Sequence, residues 1–198
     1  MAEGAAWLCQ HEPRFAAAMQ GLPPLPLRLK PEGFAELFSA IVSQQVSVAS
    51  ANAIWCKLQT AGMVTPLAVA SATEVRLREL GLSGQKVRYA HALARAQIDY
   101  AALRDLSANE AIKTLTAVSG IGPWTAEIYV MFALGRADVF APGDLALQEG
   151  ARILFDLPER PNEKALRQMA QAWSPWQSVA ARLLWSYYHV VKDREGIS

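Results

Sequence analysis

The stretch VSGIGPWTA, Val118–Ala126, sets two glycines around an isoleucine and then opens an amphipathic run with a proline. Glycine tolerates the positive φ that a tight turn requires, and proline is favoured at the first position of a helix. The stretch therefore predicts a turn between two helices. The backbone N–H groups and the dipole at the start of the second helix would also suit a phosphate group.

The rest of the chain also has the pattern of helices. Ser107 and Glu110 form a capping box that opens the helix before the turn, and Asp144 is predicted to cap a helix that ends near Phe155. Further helices are predicted at residues 12–20, at residues 34–42, from Ser47 to about Thr60, and from a capping box at Ser174, with Pro175 at its first position, to about Val190. Two short helices, a turn and a longer helix are predicted within residues 65–96. No stretch has a convincing strand pattern, so the fold class is all-α.

Composition limits the function classes. The chain has 198 residues, of which 52% are apolar and 19% charged, enough for one domain or two small lobes. A net charge of +1 argues against nucleic-acid binding by bulk charge alone. Cys9 and Cys56 are too few for a disulfide framework or an iron–sulfur cluster, which favours a reducing, cytoplasmic location. The longest apolar run, Ile128–Leu134, is too short to span a bilayer, so no membrane partner is expected.

Two motifs together resemble a known family. The turn GIGPWTA resembles the helix-hairpin-helix DNA-binding motif, and DVFAPGDLALQ places Asp144 twenty residues after Trp124. In combination they resemble the helix-hairpin-helix (HhH-GPD) base-excision DNA glycosylases and are most similar to the 3-methyladenine DNA glycosylase II branch. Residues 40–55, 80–94 and 173–185 are similar to further segments of that family, so the resemblance covers about residues 10–190.

The resemblance implies an all-α, two-lobed fold with the hairpin beside an active-site cleft. One lobe would comprise residues 33–117, and the other residues 1–32 plus 118–198. The implied activity is that of a monofunctional DNA N-glycosylase that flips out alkylated purines of the 3-methyladenine and 7-methylguanine type. Hydrolysis of the N-glycosidic bond would leave an abasic site during base excision repair. The implied partner is double-stranded DNA with a damaged base, bound by a monomer.

The resemblance also assigns roles to single residues. Asp144 matches the catalytic aspartate, and a carboxylate beside the sugar would stabilise the cation that develops as the base leaves. Trp124 and Trp185 match tryptophans that line the base pocket, where an indole face can attract a cationic base. Leu145 stands where some relatives carry an aromatic pocket residue. Trp124 also replaces the lysine of relatives that cut the strand, which points to a monofunctional enzyme.

The hairpin and the segment before it complete the predicted site. The hairpin residues implied to bind the DNA backbone are Gly120, Ile121, Gly122 and Thr125. The family hairpin often holds a sodium or potassium ion, for which the carbonyls of Thr116, Val118 and Ile121 would be the ligands; no other cofactor is required. Gln45, with Gln44 beside it, stands where relatives insert a leucine wedge into the duplex. An ordinary polar pair at a helix end explains the two glutamines equally well.

Other interpretations stay open at this stage. Arg76, Arg78, Lys86 and Arg88 form a small basic group that is either a solvated helix face or a contact to the DNA backbone. Asp138 is expected to be structural. The chain could be a glycosylase for deaminated or mismatched bases, or a non-catalytic hairpin module that needs neither an acid at Asp144 nor an indole at Trp124. A generic helical interaction protein would leave the co-occurrence of these motifs unexplained.

Overall fold

The structure, a computed structural model, describes residues 1–195, and this part of the chain contains helices and loops but no β-strand. Its α-helices are α1 Ala2–His11, α2 Pro13–Met19, α3 Phe34–Ser43, α4 Val48–Thr60, α5 Pro66–Ser71, α6 Glu74–Glu79, α7 Gly84–Arg95, α8 Ala108–Thr116, α9 Pro123–Phe132, α10 Leu145–Leu154, α11 Glu163–Ala170 and α12 Gln177–Glu195. The all-α prediction is confirmed. None of the helices described is both long and apolar enough to cross a membrane.

Lys30–Tyr129 form one compact unit. Its core is built where α3 packs against α4 and α7, because apolar residues recur on one face of α3 at helical spacing. Phe38, Ile41 and Leu58 are fully buried there, and the ring of Phe38 meets Trp55 edge-on with ring centroids 5.7 Å apart. This unit carries the hairpin and the predicted wedge segment.

The second compact unit combines Met1–Leu29 with the chain from Val130 onward. Its α10 and α12 approach closely at Gly150, where an added Cβ would lie 2.9 Å from the carbonyl oxygen of Leu184. An aromatic cluster fills the core beside them; its members are Phe15, Phe140, Phe155 and Trp173. This unit carries Asp144.

Arg182 anchors the extended segment around Leu27 within the second unit. Its Nε and Nη2 donate to the carbonyl oxygen of Leu27 at 3.2 and 3.1 Å, and its Nη1 donates to the carbonyl oxygen of Ser178 at 2.9 Å. The guanidinium also lies over the ring of Phe132, 4.5 Å from its centroid. Burial lowers the pKa of Arg182 to about 10, so the side chain remains positively charged at neutral pH.

The predicted helix starts are confirmed wherever the cap is local. Ser47 Oγ accepts the N–H of Ser50, Asp144 caps α10, and Pro123 is the first residue of α9. Around Ser107 both bonds of the capping box form, because each polar group lies within one turn of its partner.

The last helix begins later than predicted. The sequence places its cap at Ser174 and its first residue at Pro175, whereas α12 begins at Gln177. Asp138 caps it instead, because its Oδ2 accepts from Ser174 Oγ at 2.7 Å and its Oδ1 accepts from the N–H of Gln177 at 3.4 Å. A carboxylate is the stronger acceptor, so Ser174 becomes a donor. The structural role expected for Asp138 is confirmed.

Two helices, α1 and α11, are absent from the predictions. The Ala- and Gly-containing stretch of α1 has little amphipathic pattern of its own. It gains its stability from tertiary packing, since Gly4 is buried so closely against α12 that an added Cβ would lie 2.7 Å from the Trp176 ring.

The division into compact units differs from the predicted lobes at residues 30–32 and, more extensively, at residues 118–129. The sequence groups the hairpin with Asp144, whereas in the structure the hairpin belongs to the same unit as the helices that precede it. Two contacts between residues far apart in the sequence are the physical reason. Gln44 Nε2 donates to the carbonyl oxygen of Gly120 at 2.9 Å, and the ring of Tyr89 packs against the backbone of Gly120.

Removal of the α8 cap gives a first test of this fold. Ser107→Ala deletes the acceptor for the N–H of Glu110, and we expect it to lower the free energy of unfolding by about 1 kcal/mol. The hydrogen bonds from Ser107 hold the pKa of Glu110 below its ordinary value. Their contribution is therefore present above that ordinary pKa and is lost as the pH falls through the lowered value.

Urea unfolding of wild type and variant at neutral and acidic pH measures this difference. The Ser107→Ala effect should shrink on acidification, and an effect that is the same at both pH values would contradict the capping-box account. Ser71→Ala is the matched control, because Ser71 Oγ only donates to carbonyls of its own helix and should show no such pH dependence.

Candidate DNA-repair site

The hairpin between α8 and α9 is closed by its own backbone. The N–H of Ile121 donates to the carbonyl oxygen of Val118 at 3.0 Å, and the N–H of Ala126 donates to that of Gly122 at 3.1 Å. Within residues 1–195 no acceptor receives the N–H groups of Gly122 and Thr125. The first turn of α9 thus has the unsatisfied donors and the dipole that bind an anion at a helix start.

The two glycines of the hairpin have different reasons to be glycine. Gly120 has φ +96°, and an added Cβ would lie 2.4 Å from Cγ of Tyr89, so the fold itself excludes a side chain there. Gly122 is exposed, its φ is not in the positive range, and nothing lies within 4 Å of an added Cβ. The internal packing of the unit therefore does not require a glycine at position 122.

The predicted wedge segment separates its two glutamines. Gln44 is half-buried, and its amide donates to the carbonyl oxygen of Gly120 at 2.9 Å, so it holds the segment to the hairpin. Gln45 is exposed and has φ +56°, a strained conformation for a residue other than glycine. This geometry presents the Gln45 side chain and withdraws that of Gln44.

Lys86 does not belong to a basic surface. Its side chain is buried, and its Nζ donates to the carbonyl oxygen of Val42 at 2.6 Å, which ties α7 to the end of α3. Burial lowers the pKa of this amine. Arg76 and Arg78 pair with glutamates of their own helix, α6, at 3.3 and 3.6 Å. The four-residue basic group is therefore wrong as a single DNA-binding patch.

Asp144 is the N-cap of α10, and three donors converge on one of its oxygens. Oδ1 accepts the N–H of Ala146 at 2.9 Å, that of Leu147 at 3.0 Å, and Nε1 of Trp185 at 3.1 Å. The backbone of Asp144 is itself fixed, because its N–H donates to the carbonyl oxygen of Ala141 at 3.0 Å. The arrangement holds the carboxylate in one orientation and stabilises its negative charge.

Trp185 is brought to Asp144 by α12. Its ring packs on Phe132 with centroids 5.7 Å apart, which leaves the indole N–H to donate to the carboxylate. The sequence predicted both residues for the site but not this bond, because residues 41 positions apart on different helices give no local signal.

The predicted pocket residues Trp124 and Leu145 are both exposed for apolar side chains, at 44% and 62%. Trp124 lines a cavity of about 210 Å³ in its own unit, with Ile128 beside it. Leu145 is the first residue of α10, directly after Asp144.

The remaining predicted residues are backbone elements of the hairpin. The side chains of Ile121 and Thr125 are buried, so only their backbone groups could meet a phosphate. Thr116 ends α8, and the carbonyl oxygen of Val118 accepts the bond that closes the turn. The role of these carbonyls as ion ligands stays a prediction.

Sequence reasoning missed two polar side chains in the Trp124 cavity. Lys30 and Glu36 line it, and Lys30 Nζ lies 2.5 Å from Glu36 Oε1. Lys30 lies in the proline-rich loop at residues 21–33 and Glu36 lies on the polar side of a helix start, where solvated charges are the usual interpretation. No signal in the sequence places them beside the tryptophan.

The hairpin presents backbone N–H groups that suit a phosphate, and a second feature is a carboxylate held by an indole N–H. These features define the class as a helix-hairpin-helix protein with a candidate catalytic carboxylate. Residues 38–175 match the family model of the HhH-GPD superfamily base excision DNA repair proteins. The chain belongs to this superfamily.

Individual relatives support the same assignment. The chain is 31% identical over 165 residues to DNA-3-methyladenine glycosylase 1 of Schizosaccharomyces pombe. The matched region covers 79% of this chain and 72% of the relative. The crystal structure of a DNA-3-methyladenine glycosidase from Bacillus halodurans superposes with a TM-score of 0.85 at 32% identity, covering 94% of this chain and 89% of that one. The S. pombe enzyme in complex with abasic DNA gives 0.77 at 28% identity, covering 92% and 95%.

Proposed function

We propose that this chain is a monofunctional DNA glycosylase that releases alkylated purines of the 3-methyladenine and 7-methylguanine type. The observation that carries the proposal is the carboxylate of Asp144, held by two backbone N–H groups and the Trp185 indole. The relatives named above are called DNA-3-methyladenine glycosylases, and one of them was solved with abasic DNA.

The chemistry requires little from the protein beyond this charge. As the bond between the sugar C1′ and the base nitrogen breaks, its electron pair leaves with the base and positive charge develops on the sugar. Asp144 stabilises that cation, and water then adds to C1′ and loses a proton. A purine that already carries a positive charge leaves as a neutral molecule, so no general acid is needed at the base.

Trp124 recognises the base in this proposal. Its exposed indole face attracts a cationic ring by a cation–π interaction and offers a stacking surface for any flipped base. No lysine occurs between Lys113 and Lys164, so the chain lacks the amine with which relatives form a Schiff base at the hairpin. The strand therefore stays intact when the base leaves.

In this proposal the hairpin and Gln45 bind the DNA duplex. The N–H groups at the start of α9 bind a backbone phosphate, which carries no sequence information and positions the DNA. The exposed Gln45 enters the space left by the flipped nucleotide, and its amide hydrogen-bonds the base opposite.

The proposal includes a supporting alkali ion at the hairpin. The carbonyls of Thr116, Val118 and Ile121 lie between the last residue of α8 and the start of α9, and hard cations prefer such neutral oxygen ligands. A bound sodium or potassium ion would rigidify this turn and add positive charge near the phosphate.

The test of this function is base release from duplex DNA methylated at purines. The wild-type chain should release 7-methylguanine or 3-methyladenine and leave abasic sites, with the strand intact and no protein–DNA adduct trapped by borohydride. A trapped adduct would contradict the monofunctional assignment. Duplex binding without release of any methylated, deaminated or mismatched base would favour a non-catalytic hairpin module.

Trp185 provides a finer test of the carboxylate. Trp185→Phe keeps an aromatic ring against Phe132 but deletes the donor to Asp144, and we expect base release to slow about tenfold. Single-turnover kinetics on a 7-methylguanine duplex measure this change. Trp7→Phe is the matched control, because it removes another half-buried indole, one that stacks on His11. Equal rates for the two variants would contradict the role of Trp185.

A further inference from the structure

The cavity beside Trp124 contains a carboxylate that the proposed function does not use. The cavity lies within residues 30–129, and α3 contributes Glu36 and Ala40 to its wall while α9 contributes Trp124 and Ile128. It therefore combines an aromatic face, apolar surface from Ala40 and Ile128, several uncharged polar groups and one acid.

Glu36 is held where its charge is stabilised. It lies in the first turn of α3, where the helix dipole favours a negative charge, and its side chain is only 20% exposed. Its partner Lys30 is 51% exposed and reaches it from the segment that precedes the helix. The pair thus consists of the mostly buried carboxylate of Glu36 and the long, flexible side chain of Lys30. The Lys30 ammonium can move into solvent and remain fully hydrated there.

We propose that Glu36 is a specificity-determining residue that selects bases carrying a formal positive charge. In the free protein Lys30 neutralises it. A cationic purine that stacks on Trp124 replaces the Lys30 ammonium as the counter-ion, and Lys30 moves to solvent. This inference rests on the proposed function, since it assigns the charge preference of the same base site.

The exchange distinguishes lesions by charge alone. A cationic ring gains attraction from Glu36 and from the Trp124 face together, and the apolar walls formed by Ala40 and Ile128 reduce the screening of both. A neutral ring still stacks on Trp124 but gains neither of these charge-dependent attractions, and it leaves the Lys30–Glu36 pair in place. Normal purines and neutral lesions are therefore held less well than methylated cations, without any hydrogen-bond code for the base.

The experiment compares Glu36→Gln with Glu32→Gln, a nearby acid that pairs with Arg104 and does not line the cavity. Three quantities are measured for each: the single-turnover release of 7-methylguanine, the Kd for a duplex with an abasic site, and the Kd values of 3,9-dimethyladeninium and 9-methyladenine in the presence of that duplex. The first purine is permanently cationic and the second is neutral.

We expect Glu36→Gln to slow 7-methylguanine release and to weaken binding of the cation by about tenfold each. Binding of 9-methyladenine and of the abasic duplex should stay within about twofold, as should all values for Glu32→Gln. Lys30→Met, which removes the competing ammonium, should tighten cation binding relative to wild type.

The failures are distinguishable. If wild type releases no methylated base, the proposed function falls and this inference falls with it. If wild type releases 7-methylguanine but Glu36→Gln matches Glu32→Gln, or weakens the cation and 9-methyladenine equally, only the assignment of Glu36 is overturned.

Discussion

Asp144→Asn is expected to slow release of 7-methylguanine from duplex DNA by about a thousandfold. The amide is isosteric with the carboxylate but carries no negative charge to oppose the developing sugar cation. Asparagine is as good an N-cap as aspartate, and its Oδ1 can still accept from the N–H groups of Ala146 and Leu147. The helix should therefore be preserved, with stability within about 0.5 kcal/mol of wild type.

The measurement is single-turnover base release, with affinity for an abasic duplex and urea unfolding in parallel. Asp138→Asn is the matched control, because Asp138 also caps a helix, through Ser174 and Gln177. Both oxygens of Asp138 accept hydrogen bonds and an amide has only one acceptor oxygen, so we expect this variant to lose about 1 kcal/mol of stability and to keep its rate. A rate for Asp144→Asn within tenfold of wild type would show that the charge at this position does not carry the reaction.

Gly120→Ala and Gly122→Ala are expected to separate folding from DNA binding. At Gly120 the added methyl group meets the Tyr89 ring and the backbone has φ +96°, so we expect a loss of about 3 kcal/mol in the free energy of unfolding. At Gly122 the methyl group meets nothing within 4 Å, so stability should change by less than about 0.5 kcal/mol.

DNA affinity should behave in the opposite way at Gly122. A methyl group there would stand between the N–H donors of the hairpin and an approaching phosphate, and we expect duplex binding to weaken about tenfold. Urea unfolding and a duplex titration at fixed salt measure the two effects. Unchanged affinity for Gly122→Ala would remove the hairpin from the DNA-binding surface, and unchanged stability for Gly120→Ala would contradict the tight packing on Tyr89.

Structural features were predictable from the sequence where the interacting residues are close together in the chain, and not where they are far apart. The caps at Ser47, Ser107 and Asp144 were predictable, because donor and acceptor lie within one helical turn. The cap of α12 was not, since the stronger acceptor, Asp138, comes from 36 positions before Ser174. Local patterns describe competition among neighbours only, and a distant carboxylate can override them.

The candidate site shows the same limit. Resemblance to a family selected Asp144, Trp124 and Trp185, whose residue types suit the proposed chemistry. The pattern of charges alone grouped Lys86 with nearby arginines, because a lysine beside such residues is usually solvated, whereas the structure buries its amine against the carbonyl oxygen of Val42. A single-sequence pattern records which residue types are present and does not record which backbone carbonyl lies within reach.

The bonds from Lys86 to Val42 and from Gln44 to Gly120 have a further consequence for the wedge segment. Both bonds hold the chain immediately before Gln45, so this residue is positioned before DNA arrives. Its insertion into the duplex would then cost little conformational entropy. Since Gln44 is anchored to the hairpin itself, the phosphate held there and the nucleotide displaced by Gln45 would be separated by a constant distance. The hairpin and Gln45 would then sample the duplex one nucleotide at a time, at a fixed distance from each phosphate that the hairpin binds.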